Sequence, residues 1–194
     1  TQDADAKNLT TLSGPFLALP HLRRFSPKFA QLTEDIVSAI REGPGKLLVF
    51  HRRVRTSGVL LIQEILRMNG LVDEQSPPTD STLCAVCGQP LKGHPKDHDY
   101  RPARFSLLSG GIDRGLLERR LAAFNAATNL EGYEIRVLIG SKVIREGYDF
   151  NAVRHLYVTS LIDDISSLVQ VIGRGARSRS HADLPMDQRT ITTH

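Results

Sequence analysis

Residues 168–181, LVQVIGRGARSRSH, combine three arginines and a histidine with two glycines and contain no acidic residue. In a helix, successive residues are rotated by about 100°, so Gln170, Arg174 and Arg177 would lie on one side, within about 60° of each other. A guanidinium binds phosphate through two hydrogen bonds and keeps its charge at any working pH. Two guanidiniums and an amide can therefore hold a terminal phosphate and stabilise its charge during transfer, which makes these three residues candidate catalytic groups. The alternative is a surface helix with arginines that face water.

The element that carries this cluster is predicted to be a helix capped by Asp163 or Asp164. Each glycine in a helix costs on the order of 1 kcal/mol, so the helix is predicted to fray at Gly173 and Gly175. The open backbone at Gly173 would then allow a ligand to approach closely. The side predicted to be buried consists of Ile165, Leu168, Val169 and Ile172.

A second basic stretch, HRRVR at 51–55, also has no acidic neighbour, and a fold could bring it next to the first. Solvated surface arginines are the alternative for each stretch. The net charge of +4 and the pI near 9.3 are modest and do not by themselves indicate nucleic acid.

Short apolar runs alternate with helical patterns along the chain, which is typical of parallel βαβ units in an α/β fold. The runs are nearly continuous in Val, Leu and Ile, so helices are expected on both faces of the sheet. Strands are predicted at 46–50, 104–108, 136–140 and 155–159, with a last one in 189–193. Helices are predicted from Ser26 to Gly43, from Ser57 to Asn69, from Arg114, and from Asp163 or Asp164.

The 194 residues suit one substantial core with a small appendage. Residues 1–26 are predicted to be an irregular lead-in, and residues 27–194 the domain itself. Residues 71–102 are polar, rich in proline and without a period, and are predicted to be an insertion that cannot bury a core of its own.

This insertion contains the pair Cys84 and Cys87, followed by His94 and His98. Two thiolates and two imidazoles can hold zinc tetrahedrally, with Asp97 or Asp99 as a substitute for one histidine. A thioredoxin-like redox pair is an alternative, but it needs its first cysteine at a helix N-terminus, and the glycines and the proline that follow oppose a helix. Two unliganded cysteines in a loop are the third interpretation.

The motifs also carry a family resemblance. QVIGRGAR resembles motif VI of superfamily 2 helicases, LLVFHRR resembles motif IV, and VLIGSKVIREGYDFNAVRHLYV resembles motif V. LLSGGIDRGLLERRLAAFN resembles the segment that follows motif IV. In their detailed amino-acid sequence, motifs V and VI are similar to those of the superfamily 2 proteins of large DNA viruses. This group includes poxvirus-type early transcription factor subunits and related helicases. The fold implied is a RecA-like parallel sheet flanked by helices.

The resemblance also implies roles for particular residues. Arg177 would be the arginine finger on the γ-phosphate, Arg174 its partner, and Gln170 a positioning group. Nucleotide contacts are implied for Gly147 and Asp149, the latter on the ribose. Contacts with nucleic acid are implied for Ser141, Lys142, Arg52 and Arg53; a capped loop is the alternative for Ser141 and Lys142.

One departure limits what the chain can do alone. The Walker A pattern needs Gly-x-x-x-x-Gly-Lys-Ser/Thr, and the nearest stretch, IREGPGKL, has Ile40 and Leu47 at two required positions. The resemblance therefore implies the second half of an ATPase, inactive alone, with ATP and Mg²⁺ bound mainly by a first RecA-like domain. A nucleic-acid partner is expected, DNA rather than RNA. A transcription or assembly factor that does not unwind, or a scaffold that does not hydrolyse ATP, are the competing interpretations.

No membrane span and no secretory leader are expected, because the sequence has no run of eighteen apolar residues and no charged-then-apolar start. An intracellular location is expected. For a viral protein, this means the host cytoplasm, the nucleus or the virion.

Overall fold

The chain forms a six-stranded sheet in which every strand is parallel to its neighbours. The computed structural model describes residues 12–55, 57–145, 147–162, 164–177 and 180–194. In chain order the strands are β1 (Lys46–Phe50), β2 (Val72–Asp73), β3 (Arg104–Leu108), β4 (Val137–Gly140), β5 (Val153–Val158) and β6 (Thr192–Thr193). Their order across the sheet is β2-β3-β4-β1-β5-β6. The four main predicted strands are confirmed to within two residues at each end, whereas the last shrinks to two residues and β2 was missed.

Among the described residues, five α-helices pack around the sheet: α1 (Leu19–Phe25), α2 (Pro27–Glu42), α3 (Val59–Met68), α4 (Arg114–Asn125) and α5 (Ile165–Gly175). Short 3-10 helices lie at Pro15–Leu17, Ala127–Asn129, Lys142–Arg145 and Met186–Gln188. The predicted cap at Ser26 is confirmed, since its hydroxyl accepts a hydrogen bond from the Phe29 amide. At α5 the cap is Asp164, whose carboxylate accepts from the Ser167 amide at 2.7 Å. Asp163 lies outside the described residues.

The core has two layers, one on each face of the sheet, as the continuous apolar strands predicted. Leu47 and Val49 of β1 point to one layer, where α2 and α3 pack, and Leu48 and Phe50 point to the other. All four side chains are at most 1% exposed. Alternate residues of one strand therefore hold both layers together.

The prediction of an irregular lead-in over residues 1–26 is wrong for its described part. A 3-10 helix covers Pro15–Leu17 and α1 covers Leu19–Phe25, and Leu17 and Leu22 are buried in the core. The Asn69 side chain secures this segment, because it accepts from the Leu19 amide at 2.8 Å and donates to the Leu17 carbonyl at 2.9 Å. Helices of three and seven residues, each with a proline in its first turn, are too short to show a clear helical period. Residues 1–11 lie outside the described residues.

The predicted insertion contains no helix and packs on the rest of the domain. It starts after β2, so the predicted boundary at residue 71 falls just before a strand. Leu83, Ala85 and Ala103 are buried and belong to the core layer of α2 and α3. The insertion therefore shares the core of the domain rather than lying outside it.

The buried side of α5 differs from the predicted one. Ile165 is 80% exposed and Val169 60% exposed, whereas Val171 is fully buried and Gly175 is buried. A Cβ at Gly175 would contact Ile191 at 3.0 Å, so the absence of a side chain lets this side pack closely on the sheet. The predicted fraying does not occur before Gly175, because the helix continues through both glycines.

Candidate functional site

The end of α5 lies against the loop that leads into β5, and this contact brings the predicted phosphate-binding residues together. Arg177 donates from Nη1 to both carboxylate oxygens of Asp149, each at 2.6 Å. Arg174 approaches the same carboxylate, with its Nη1 at 3.7 Å from Oδ1. We call Asp149, Arg174 and Arg177 the arginine cluster.

Backbone contacts hold the arginine cluster in place. The Phe150 amide donates to the Arg174 carbonyl at 3.2 Å. On the other side, the side chain of Asn125 makes two contacts with this loop. Its Nδ2 donates to the Asp149 backbone carbonyl at 2.8 Å, and its Oδ1 accepts from the Asn151 backbone amide at 2.9 Å. The loop before β5 is thus fastened to both α4 and α5, and the carboxylate position is fixed by the fold.

The arginine cluster is open to solvent. Side-chain exposure is 56% for Arg177, 43% for Asp149 and 23% for Arg174. The hydrogen bond that Arg177 donates to Asp149, and the charge of that carboxylate, raise the pKa of Arg177, so this guanidinium stays charged. An anion that reaches the cluster meets two guanidiniums beside one carboxylate.

The other residues predicted around the nucleotide are near the arginine cluster in sequence and are exposed. Gln170 lies one turn before Arg174 on α5 and is exposed. Gly173 is exposed, and a Cβ there would have no heavy atom within 4 Å. Gly147 has a φ of +87°, a left-handed conformation that favours glycine, and it turns the chain toward Asp149.

The residues predicted to contact nucleic acid lie elsewhere, at the carboxyl ends of the strands. Arg52 and Arg53 follow β1, whereas Ser141 and Lys142 follow β4. The Arg52 amide donates to the Ser160 hydroxyl at 2.9 Å, and its guanidinium to the Leu161 carbonyl at 3.4 Å. Arg53 and Lys142 are exposed, whereas Ser141 is only 2% exposed.

Sequence reasoning missed Lys28, which joins this edge from the start of α2. Its ammonium donates to the Thr159 carbonyl at 3.0 Å, and it lines a cavity of about 380 Å³ with Arg52 and Arg53. Burial lowers the pKa of His51 in the same cavity, and the neighbouring Lys28, Arg53 and Arg52 charges lower it further. The Ser26 cap could have indicated this position in the sequence, because it marks the start of α2. A helix that precedes a parallel strand begins near the carboxyl end of that strand, so Lys28 in the first turn lies at this edge. We call Lys28, Arg52, Arg53 and Lys142 the basic edge.

The two basic stretches do not converge. The arginine cluster lies beside the start of β5, and Arg52 bonds to residues that follow the end of β5. The six residues of β5 separate them by about 17 Å at 3.3 Å per residue.

The four residues of the predicted metal site do come together. The ligand atoms of Cys84, Cys87, His94 and His98 all lie within 4.8 Å of one another. Burial alone would raise the pKa of the Cys84 thiol, but backbone hydrogen bonds and one from His98 lower it to about 6. Residues 84–103 contain no helix, so Cys84 does not have the helix N-terminus that a thioredoxin-like pair needs.

The parallel sheet and the order of the motifs on it define the class of this domain. Residues 96–179 match the helicase conserved C-terminal domain family, which covers β3 to the arginine cluster. This match identifies a helicase conserved C-terminal domain within residues 96–179, consistent with the second RecA-like domain of a superfamily 2 protein that the motifs predicted.

Curated relatives come from large DNA viruses. The chain is 46% identical over 190 residues to the early transcription factor large subunit homolog of African swine fever virus, an alignment that covers 94% of this chain and 17% of that protein. It is 27% identical over 194 residues to an Acanthamoeba polyphaga mimivirus protein named as an ATP-dependent RNA helicase, covering 90% of this chain and 17% of that protein. The chain thus spans about a sixth of the length of these relatives. Among solved structures, the C-terminal domain of the DEAD-box protein Dbp5 superposes with a TM-score of 0.48 at 16% identity, over 86% of this chain and 67% of that one.

Within the described residues, no helix has both the length and the apolar composition needed to cross a membrane.

Proposed function

We propose that this domain completes the ATP site of a nucleic-acid-dependent ATPase whose first RecA-like domain binds most of the nucleotide. The observation that carries the proposal is the arginine cluster, where a single guanidinium nitrogen of Arg177, Nη1, lies 2.6 Å from both carboxylate oxygens of Asp149, 28 positions earlier in the sequence. A guanidinium carries five N–H donors, so the same side chain is able to bind the oxygens of a phosphate.

The cluster can act by exchange of partners. When the two domains close, the terminal phosphate of ATP competes with the Asp149 carboxylate for Arg177, which is exposed enough to swing toward it. Arg174 then stabilises the same charge or pairs with an acidic group of the first domain. ATP with Mg²⁺ supplies the phosphoryl group and the metal that neutralises its oxygens.

The remaining residues of the site position the nucleotide. Once released from Arg177, the Asp149 carboxylate can accept a hydrogen bond from the ribose. Gln170 and the bare backbone of Gly173 lie on the same exposed side as the arginines, and Gly147 keeps the loop turned toward them. The chain has no Walker A sequence, so we propose that it does not hydrolyse ATP alone.

We propose that the basic edge holds the nucleic acid backbone, with DNA as the preferred polymer. Contacts from Lys28, Arg52, Arg53 and Lys142 to phosphates are independent of sequence and weaken with salt. The higher identity to a viral transcription factor than to a protein named as an RNA helicase supports DNA. Movement along the strand would follow from coupling this edge to the arginine cluster.

The test is ATP turnover by the domain joined to its first RecA-like domain, with and without single- or double-stranded DNA or RNA. We expect stimulation by one polymer and a fall of about 10³-fold or more in Arg177→Ala, because an arginine finger contributes on this scale. Arg41→Ala is the matched control, since Arg41 is exposed at the far end of α2. Undiminished turnover in Arg177→Ala would mean that the arginine cluster binds something other than the reacting phosphate.

A second candidate function is a transcription factor ATPase that remodels or translocates on duplex without separating strands. It is favoured by the 46% identity to the early transcription factor large subunit homolog. Duplex-stimulated ATP turnover with no strand displacement would select this candidate. Displacement of a labelled strand at the same enzyme concentration would select the helicase.

A further inference from the structure

The insertion between β2 and β3 contains a compact group of metal-ligating side chains that the proposed ATPase function does not use. We call Cys84, Cys87, His94 and His98 the Cys/His cluster. Cys84 is fully buried, and the other three are half-buried. The cluster therefore lies beneath the surface of the insertion rather than on an exposed loop tip.

The separations in the Cys/His cluster have the size of the edges of a tetrahedral metal site. With metal–nitrogen bonds of about 2.05 Å and metal–sulfur bonds of about 2.3 Å, a tetrahedron has N···N edges of about 3.3 Å and S···N edges of about 3.6 Å. The two imidazole Nε2 atoms are 3.2 Å apart, and the Cys84 Sγ lies 3.5 Å from the His98 Nε2. Both imidazoles thus direct the same nitrogen at a shared point beside a thiolate.

The surroundings of the Cys/His cluster orient its ligands. The Asp97 carboxylate lies 2.6 Å from the His98 Nδ1, which leaves Nε2 to face the cluster, as in the carboxylate–histidine–zinc arrangement. The Val86 amide donates to the Cys84 Sγ at 3.5 Å, a contact that favours the thiolate. The Tyr100 ring packs edge-on against the His94 imidazole at 5.2 Å between centroids and limits its rotation.

The backbone around the cluster is fastened to the rest of the domain. Leu83 and Ala85, on either side of Cys84, belong to the main core, and the Leu83 amide donates to the Gly70 carbonyl at 2.7 Å. Gly88, with a φ of +66°, lies where a side chain would overlap Arg41 of α2. The ligands before residue 90 are therefore anchored to the core, whereas His94 and His98 lie in a segment without helix or ladder strand.

We propose that the Cys/His cluster binds Zn²⁺ tetrahedrally, and that the ion fixes residues 90–100 to the core at Cys84 and Cys87. Four protein ligands leave no open position, which is the arrangement of a structural rather than a catalytic site. Two thiolates with two imidazoles favour zinc over magnesium or calcium, which prefer oxygen ligands.

The first experiment is elemental analysis of the full chain purified without added metal. We expect a zinc content of about one ion per chain. Zinc should be released on thiol modification, and after Co²⁺ replacement the protein should show the d–d bands of a tetrahedral site with a thiolate charge-transfer band. Zinc near zero together with two freely titrating thiols, or a Cys84–Cys87 disulfide seen by mass, would overturn the site.

Variants separate ligation from folding. Cys87→Ser and His94→Gln should lose zinc and the cobalt bands, whereas His21→Gln, on the exposed side of α1, should keep both. Asp97→Asn is informative even if the ligand variants fail to fold, because Asp97 is 73% exposed and touches the metal only through His98. It should retain its circular dichroism and bind zinc about 10–100-fold more weakly. Unchanged zinc affinity in Asp97→Asn, with full zinc in His94→Gln, would contradict the proposed ligand set.

Discussion

The Asp149–Arg177 ion pair is well formed but exposed, and exposure decides what it can contribute. Water and salt screen a pair whose side chains are both more than 40% accessible, so such pairs add little to stability. The contact is nonetheless short, with Nη1 of Arg177 at 2.6 Å from each carboxylate oxygen of Asp149. A contact that is geometrically strong and energetically weak suits a guanidinium that must leave one anion for another.

The prediction at this scale is a separation of activity from stability. Asp149→Asn and Arg177→Ala should both unfold in urea at a midpoint close to that of the unaltered chain, because no buried charge is left unpaired. Each should lower ATP turnover of the joined domains. A clearly lower unfolding midpoint in both would show instead that the ion pair is a structural link between α5 and the loop before β5.

At the scale of elements, α5 carries Arg174 and ends two residues before Arg177. Its two glycines have different roles. Gly175 is buried, and its lack of a side chain allows close packing at Ile191. Gly173 is exposed and lies within the helix, and a Cβ at this position would meet no heavy atom within 4 Å. The fold of the described residues does not require glycine at 173, whereas the proposed close approach of a nucleotide would.

Gly173→Ala should therefore stabilise the domain by about 0.5–1 kcal/mol, since alanine loses less backbone entropy in a helix than glycine. Its ATP turnover in the joined domains should fall, because the methyl group would occupy the space that the nucleotide approaches. Chemical denaturation and steady-state turnover on the same preparation measure both effects. A more stable variant with full turnover would show that no ligand comes close to this backbone.

Gly58→Ala serves as the opposing control at the start of α3. A Cβ there would overlap the Arg53 carbonyl oxygen, which accepts the hydrogen bond from the Val59 amide. Because a backbone atom cannot move aside cheaply, we expect a loss of about 1–3 kcal/mol. We expect the free energy of unfolding to rise in Gly173→Ala and to fall in Gly58→Ala. Changes of opposite sign would show that denaturation distinguishes a glycine required by packing from one that the fold does not require.

The elements that the sequence revealed are those with strong local signals. The apolar runs of β1 and β3 and the Ser26 cap of α2 predicted boundaries that the structure confirms. The buried side of α5 was not predictable from hydrophobicity, because Ile165 and Val169 are apolar yet exposed, and the packing surface is formed by Val171 and a glycine. Likewise α1, at seven residues, is too short to show a clear period; burial of Leu22 and the long-range contacts through Asn69 hold it.

In the candidate site too, features with a local sequence signal were predicted, and those that depend on long-range contacts were not. Spacing predicted Arg174 and Arg177 on one side of α5, but the helix ends at Gly175 and Arg177 follows it. The resemblance implied Asp149 near the same nucleotide, whereas its ion pair with Arg177 depends on how the loop before β5 meets the end of α5. The four ligands of the Cys/His cluster lie within fifteen residues, so spacing alone suggested them. Lys28 was missed because its contact with Thr159 spans 131 positions.

At the scale of the whole molecule, β5 connects the two proposed binding regions. The loop that precedes it carries Asp149, and the residues that follow it, Thr159 to Leu161, contact Lys28 and Arg52. β5 pairs with β1 on one side and with β6 on the other. The proposed coupling between the arginine cluster and the basic edge would therefore act across β5.

The salt dependence of DNA binding tests whether the basic edge contacts the nucleic acid backbone. Each phosphate neutralised on duplex DNA contributes about 0.9 to the slope of log affinity against log salt, and about 0.7 on a single strand. Arg53→Ala and Lys28→Ala should each weaken binding of any DNA sequence and lower the slope by about 1 or less. Fluorescence anisotropy of a labelled oligonucleotide over a range of salt concentrations measures both quantities.

Arg41→Ala removes the same charge from α2 at a distance of about 20 Å from Lys28, thirteen residues along the helix, and so controls for net charge. Its slope should match that of the unaltered chain, because a charge far from the strand displaces no counterions there. Equal loss of slope in all three variants would mean that binding follows the net charge of the molecule. In that case the carboxyl edge of the sheet would lose its special role, and the exposed arginines of the arginine cluster would become the next surface to test.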